Sequence, residues 1–337
     1  MKSIVVIGNF GNKNRVNGQI LRTQTIYNSI LKNYKDCYII KKIDTANKHL
    51  IVFFRAIFAI ITSSKIVILP AQSAIKPLLL LINILRRTDK TVHVAIGGWI
   101  LDSISTPFWE KIEKKLKSVL VQTLSIKNNM TQKGFENVVY FPNYRENYNE
   151  VSEIQIKTNA RKFVFYSRII PEKGVFEAIR AIDDLYKNGA DCTLDIYGPI
   201  ENEVIREKID MEIANKREIT YKGVLNQGQI IRTLNSYDVM LFPTYYRGEG
   251  FPGAILESFL AGLPVIATNW KYNNEIVVDG YTGLICSVRS VEDLKVNIKK
   301  IMDDDDIFVT MQKNCIEESK QYKAENVEQK LYESLGV

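Results

Sequence analysis

A chain of 337 residues with 46% hydrophobic side chains is long enough for two α/β domains of ordinary size and apolar enough for two cores. Its net charge of +7 conceals a division: residues 1–145 carry 22 Lys/Arg against 7 Asp/Glu (+15), and the remaining 23 against 31 give −8. Aromatic and arginine side chains are not interleaved as a nucleic-acid surface requires, and Cys37, Cys192, Cys286 and Cys315 match no metal or disulfide pattern, so nucleic-acid binding and a disulfide scaffold are excluded. Reduced thiols and the absence of an apolar targeting region ahead of the first strand predict a cytoplasmic protein. The basic first half suits an anionic acceptor or an anionic bilayer surface, with a merely solvated basic face as the alternative.

The first strand is Ile4-Val5-Val6-Ile7-Gly8, followed by a Gly/Asn/Lys-rich loop over 9–17 and a helix from Gly18 to about Tyr34. Gly8 and Gly11 do not complete a dinucleotide fingerprint. Strand-like segments at 37–43, 66–69 and 91–96 alternate with helix-like segments at 49–62 and 74–85, the pattern of parallel βαβ units. The apolar runs 50–61 and 78–85 are shorter than the ~20 residues that cross a bilayer, and Arg55 interrupts the first. Burial against the sheet is expected for both; contact of one with a membrane surface is the alternative. His93 stands four residues before Gly97, where the strand is expected to end, and is read as buried and structural. His49, ahead of a helix, has a weaker claim to a role.

A basic helix is expected over 106–116, with Lys111, Lys114, Lys115 and Lys117 as a solvated face, and strands at 119–122 and 138–141 complete the first sheet. The polar stretch 144–160 fits an interdomain linker. Strands at 163–167, 193–197, 219–222, 239–242 and 265–267 form the second sheet. Gly198 and Gly223 are expected to end strands where the backbone closely approaches a ligand. Asp303 to Asp306 resembles a metal-binding Asp-x-Asp only superficially, because it lies between helices and not after an apolar strand.

Chemistry concentrates in two stretches. Arg168 and Lys173 follow the strand at 163–167 and precede a helix over 175–188, the position at which open α/β sheets bind ligands. Arg grips phosphate as a fixed fork and Lys as a mobile point charge. Farther on, Arg247-Gly248-Glu249-Gly250-Phe251-Pro252-Gly253 leads into a helix expected from Pro252 to about Ala261. Proline suits the first helical position, and the glycines leave N–H groups at the positive end of the helix open to an anion. Glu249 in the loop and Glu257 about a turn into the helix suit a ligand that carries sugar hydroxyls as well as phosphate.

Ser167-Arg168-x4-Lys173-Gly174, followed by Gly248-Glu249-Gly250-Phe251-Pro252 and the Glu249-x7-Glu257 spacing, resembles the retaining glycosyltransferases of family four. The resemblance covers essentially the whole chain and is strongest over 163–285. It implies the α/β GT-B fold, two Rossmann-like parallel-sheet domains facing each other across a cleft. Residues 1–145 would bind the acceptor and 146–323 the nucleotide sugar, with a helix over 324–337 crossing back to the first domain and Pro142-Asn143 as the hinge.

The donor implied is a nucleoside-diphosphate sugar of the UDP or GDP type, with no other cofactor and no metal. The acceptor would be a saccharide hydroxyl, polyprenyl-diphosphate-linked in surface-polysaccharide assembly. By the same resemblance Arg168 and Lys173 stabilise the departing diphosphate, and Glu257 accepts the ribose hydroxyls. Glu249, with the N–H groups of Gly250, Phe251 and Gly253, orients the sugar. Gly18 lets the first loop approach the donor, Gly97 and Gly98 shape the acceptor side, and Asp102 is a candidate catalytic carboxylate or acceptor contact. Residues 273–283 would lie near the base and ribose, where Glu275 is either a ligand or only a helix-start residue. Replacing Glu249 by Ala is expected to cost rate with folding intact. A non-hydrolysing sugar-nucleotide epimerase and a non-catalytic nucleotide-sugar-binding protein on the same fold are the alternatives.

Overall fold

Strands made of uninterrupted apolar runs must be covered on both faces, which parallel α/β sheets achieve. Ser3–Gly8 (β1), buried along its whole length, is the plainest instance. The computed structural model describes residues 2–11, 18–46, 50–145 and 154–337. Most of the expected 9–17 loop, His49 and the first half of the expected linker therefore lie outside the described residues. The chain divides into two compact units, residues 1–146 with 324–337, and residues 147–323.

In the first unit β1 is followed by α1 (Gly18–Tyr34), β2 (Ile39–Asp44), α2 (Leu50–Thr62), β3 (Lys65–Leu69), α3 (Ile75–Ile84) and β4 (Thr91–Val94). Then come the short α4 (Ile100–Ser103), α5 (Pro107–Glu113), β5 (Ser118–Val121), α6 (Leu124–Gln132) and β6 (Val138–Tyr140). All strands pair in parallel, in the order β2-β1-β3-β4-β5-β6. β4 stops at Val94, short of the expected Gly97, which has φ +79° and donates its N–H to Gln122 Oε1 at 2.8 Å. His93 is buried and paired with Glu113 of α5, the structural role expected of it. The basic helix ends early, at Glu113, because the chain beyond turns back: Lys114 Nζ donates to the Lys133 carbonyl at 2.6 Å and Lys117 Nζ to that of Leu335 at 2.8 Å.

At the carboxyl end of β6 the buried Arg22 of α1 fastens the chain. Its guanidinium donates to the Pro142 carbonyl at 2.6 Å and stands 4.5 Å from the ring centres of both Phe141 and Tyr144. Burial pushes this guanidinium down to about 10. One face of the sheet packs Ile4, Val6 and Val67 against α1 and against Val327, Leu331 and Leu335 of the last helix, Ala324–Leu335.

The second unit runs β7 (Lys162–Tyr166), α7 (Val175–Lys187), β8 (Thr193–Tyr197), α8 (Glu203–Ile213), β9 (Ile219–Gly223), α9 (Ile230–Leu234) and β10 (Val239–Phe242). It continues through α10 (Gly253–Leu260), β11 (Val265–Thr268), α11 (Asn273–Ile276), β12 (Gly283–Cys286), α12 (Val291–Asp303) and α13 (Asp305–Ser319); the closing helix is α14. Its parallel sheet has the order β12-β11-β10-β7-β8-β9. Alternation along β7 sends Phe163 and Phe165 into one core with α7 and α12, and Val164 into the other with α10. The acidic run at 303–306 serves as a cap: the Asp304 carboxylate accepts from Ile307 N–H at 2.9 Å to start α13.

Candidate functional site

Strand order in the second sheet reverses direction between β7 and β10, the topological switch point at whose carboxyl end open α/β sheets bind ligands. Both motif stretches lie on the loops leaving these two strands. After β7, Ile169 N–H donates to the Pro199 carbonyl at 2.9 Å, and residues Pro171–Lys173 form a 3-10 turn. Gly174 then takes φ +80°, and a Cβ on it would stand 2.1 Å from the Pro243 carbonyl oxygen just beyond β10. Only glycine lets the first loop pass this close to the second. The loops are tied together: Tyr245 N–H donates to the Glu172 carbonyl at 2.8 Å, and the Thr244 hydroxyl oxygen stands 3.2 Å from the same oxygen.

This apposition brings Lys173 and Glu249 together. Lys173 Nζ lies 2.9 and 2.7 Å from the two carboxylate oxygens of Glu249, with both side chains buried. The Thr244 hydroxyl stands 2.8 Å from Glu249 Oε2. Two of the three ammonium donors thus face Glu249, leaving one for a ligand. The Tyr246 ring lies between the cations, its centre 4.9 Å from Lys173 Nζ and 5.2 Å from the Arg168 guanidinium carbon. Its backbone carbonyl accepts from Trp270 Nε1 at 2.8 Å. Arg168 is half-exposed, with only a loose 3.8 Å approach to Glu201, so it can turn toward a bound anion. Burial, with Glu177 nearby, raises the Tyr245 hydroxyl above its ordinary range and keeps it a neutral donor.

Glu249 is therefore a buried counter-ion of Lys173, where the motif alone offered a carboxylate in the loop for a ligand's hydroxyls. Thr244 and Tyr246 were missed. A hydroxyl and a ring in a connecting loop have no periodicity to reveal them, and only the question of what surrounds a buried lysine leads to them.

The helix that follows opens at Gly253, one residue later than expected, with Pro252 as its N-cap at φ −64°, ψ 122°. Pro252 supplies no capping side chain and the first turn holds no acid, so the opening N–H groups of α10 retain their affinity for an anion. Phe251 is buried and meets Tyr322 edge-on at 5.1 Å, fixing the direction in which the glycine-flanked loop enters the helix. Glu257, in the second turn of α10, is buried as well.

The other glycines divide by their surroundings. Gly198 has φ +142°, and a Cβ there would meet the Ser167 carbonyl oxygen at 1.7 Å, so close packing of the β7 and β8 ends requires it. Gly223, with φ +83°, and Gly18 face open space. Gly18, Gly97, Gly98 and Asp102 belong to the first unit, whereas Arg168, Lys173, Glu249 and Glu257 belong to the second. Asp102 is exposed on α4. In the stretch expected near a base and ribose, Asn273 is buried, donating to the Thr268 carbonyl at 3.1 Å while its Oδ1 has no partner. Residues 279–283 turn directly into β12.

Residues 146–322 match the family model for glycosyl transferases group 1. The chain is 30% identical over 179 residues to an uncharacterized glycosyltransferase of Methanocaldococcus jannaschii, covering 51% of this chain and 48% of that protein. It is 27% identical over 210 residues to the capsular polysaccharide biosynthesis glycosyltransferase CapM of Staphylococcus aureus, covering 60% of this chain and 54% of CapM. The chain thus spans about half the length of these curated relatives. Among solved structures, HepE of Anabaena in complex with UDP superposes with a TM-score of 0.77 at 16% identity over 99% of both chains. A glycosyltransferase of Rickettsia africae superposes with a TM-score of 0.78 at 15% identity, covering 99% of this chain and 98% of that one. These likenesses establish the GT-B fold.

Proposed function

Because the chain belongs to the glycosyl transferases group 1 family, we propose that it transfers a sugar, with retention of anomeric configuration, from a nucleoside diphosphate to a hydroxyl of a saccharide acceptor. The observation that carries this reading is the buried Lys173–Glu249 pair on the β7 and β10 loops, in the same unit as the uncapped start of α10. Departure of the diphosphate leaves positive charge on the sugar and adds negative charge to phosphate. The buried Lys173 is a cation already in place for that added charge, which costs no reorganisation at the moment of reaction, and the half-exposed Arg168 is a second that turns toward it. With this much neutralising charge from side chains, we infer that no divalent metal is needed.

We assign Glu249 two roles: holding Lys173, and orienting the donor sugar together with the N–H groups of Gly250, Phe251 and Gly253. Glu257 receives the ribose hydroxyls, and Gly198 and Gly223 border the nucleotide. Residues 1–145 take the acceptor, with Gly18, Gly97, Gly98 and Asp102 on that side, and residues 146–323 take the donor, of UDP or GDP type. HepE is seen with UDP-glucose, and CapM serves capsular polysaccharide biosynthesis. The basic balance of residues 1–145 suits a polyprenyl-diphosphate-linked saccharide as acceptor, met at the inner face of the cytoplasmic membrane. Four unpaired thiols suit that reducing compartment.

The test is release of nucleoside diphosphate from UDP- and GDP-sugars, with and without a lipid-linked acceptor, and NMR assignment of the product anomer. Acceptor-dependent release with a retained anomer supports the reading. Interconversion of the donor sugar without transfer would instead identify an epimerase. Arg168→Ala should cost about 3 kcal/mol of barrier, roughly a hundredfold in turnover.

A further inference from the structure

Helix α2 is apolar apart from Arg55 and Thr62, yet only one side of it is packed. Ala56, Ala59 and Ile60 are buried against the first sheet. The opposite stripe runs Ile51, Phe54, Phe58 and Ile61, at helical spacings of three and four, and these side chains are 71%, 60%, 69% and 51% exposed. Phe53 adds to it, 51% exposed and edge-on to Phe54 at 5.9 Å. Isolated exposed apolar residues need no explanation, but a contiguous stripe of this size marks a contact surface.

Its surroundings are cationic. Arg55 interrupts the stripe, and α2 contains no Asp or Glu. Beside it a groove of about 590 Å³ is lined by Lys41, Lys42, Ile51, Phe54, Arg55 and Phe58. Lys41 donates to Thr62 Oγ1 at 3.0 Å at the end of α2 and is held beside the stripe, whereas the Lys42 ammonium lies 4.2 Å from the Phe10 ring centre on the α1 face of the sheet. Right-handed crossovers from β2 to β3 and from β3 to β4 place α2 and α3 on one face of the sheet. There α3 turns out a matching stripe, Lys76, Leu80 and Ile84, the last 65% exposed. Arg87 joins the two helix ends, donating to the Ile60 carbonyl at 3.1 Å.

We infer that the outer face of α2 is a docking surface for an anionic phospholipid bilayer, with the aromatic stripe entering the boundary between headgroups and acyl chains and Arg55 and Lys41 meeting lipid phosphates. The charge decides for lipid over a second copy of the chain. An isologous contact would bring these cations against their own copies with no acid on α2 to separate them. An anionic bilayer offers both a phosphate layer and an apolar layer, and long basic side chains reach the first while ring faces enter the second. The helix lies on the surface and does not cross. Its 13 residues span about 20 Å at ~1.5 Å per residue, against a hydrocarbon core of ~30 Å. No helix among the described residues is long and apolar enough to span.

Flotation of the full chain with vesicles of phosphatidylglycerol and phosphatidylcholine, against phosphatidylcholine alone, tests this. The chain should partition at least about tenfold more strongly onto the anionic vesicles, an advantage that ~0.5 M salt removes. Phe54→Ser with Phe58→Ser should lower partitioning at least about tenfold, and Arg55→Ser about fivefold. Both side chains point outward, so the melting temperature and donor binding in vesicle-free solution should match the wild type, which separates loss of lipid binding from failure of the catalytic reading. Equal partitioning onto both vesicle types overturns the inference, as does a double variant that floats like the wild type. A wild-type dimer that the double variant dissociates, without vesicle binding by either, would instead assign the face to self-association.

Discussion

Removing one member of the Lys173–Glu249 pair should damage folding as well as any chemistry. At the observed 2.7–2.9 Å, and with an effective dielectric constant of ~20, the attraction is about 6 kcal/mol, offset by several kcal/mol per ion for leaving water. Lys173→Met strands the Glu249 carboxylate with the Thr244 hydroxyl as its remaining partner here. Glu249→Gln strands the ammonium between the Phe242 and Tyr246 rings. Each single change should cost about 3 kcal/mol. For a unit spanning residues 147–323, at ~3 °C per kcal/mol, the melting temperature should fall by about 9 °C. The double variant has no uncompensated charge and should recover at least ~2 kcal/mol relative to the sum of the singles. Differential scanning calorimetry is the assay, since it shows whether only the transition of this unit moves. A single variant melting within about 2 °C of the wild type, or a double variant melting at the sum of the two losses, would refute the reasoning.

Gly174→Ala, forced to φ +80° against the Pro243 carbonyl, should cost about 3 kcal/mol or more and abolish nucleotide binding in calorimetric titration. Gly189→Ala, also at positive φ but facing open space, should cost about 1 kcal/mol and leave binding intact. If Arg168 and Lys173 do the neutralising, chelation of divalent cations by EDTA should change the transfer rate by less than about twofold, followed by nucleoside-diphosphate release. Burial pushes the Cys192 thiol up to about 11 and that of Cys286 up to about 12, and raises that of Cys315 well above its ordinary value. Near pH 8 only the exposed Cys37 should therefore react with a thiol reagent, with all four reacting after denaturation.

What the sequence disclosed and what it withheld follow from the range of the forces involved. Strands such as β1 and β10 are continuous apolar runs bounded by polar or glycine residues, a local signal, and were legible within a residue or two. Helix α6 and strand β12 went unrecognised. Leu124–Gln132 is largely polar with only Ile126 and Met130 buried, and Gly283–Cys286 begins with a glycine whose Cβ would stand 1.9 Å from the Val265 carbonyl. The same limit applies at the site. Charged residues announced themselves by type, but the partner of Lys173 lies 76 positions along the chain, and nothing local declares the pairing.

That pairing changes what the motif can do. A lysine free in a crevice would swing toward any anion, and its rotamer entropy would oppose each binding event. Here the stem is fixed by Glu249 and flanked by the Phe242 and Tyr246 rings, so the entropy is spent on folding. The carboxylate also keeps local charge near zero until an anion arrives, and then competes with that anion for the same ammonium. In the proposed reaction, growing negative charge on the diphosphate would shift the competition toward the ligand, so Lys173 would be held less by Glu249 as that charge develops. An interaction that strengthens with charge development favours the transition state over the bound donor, which is the requirement for raising turnover. Glu249→Gln, by removing the competitor, should then tighten binding of the ground-state donor while lowering turnover. Parallel losses in both would mean that Glu249 acts through the donor sugar or the fold and not by competing for Lys173.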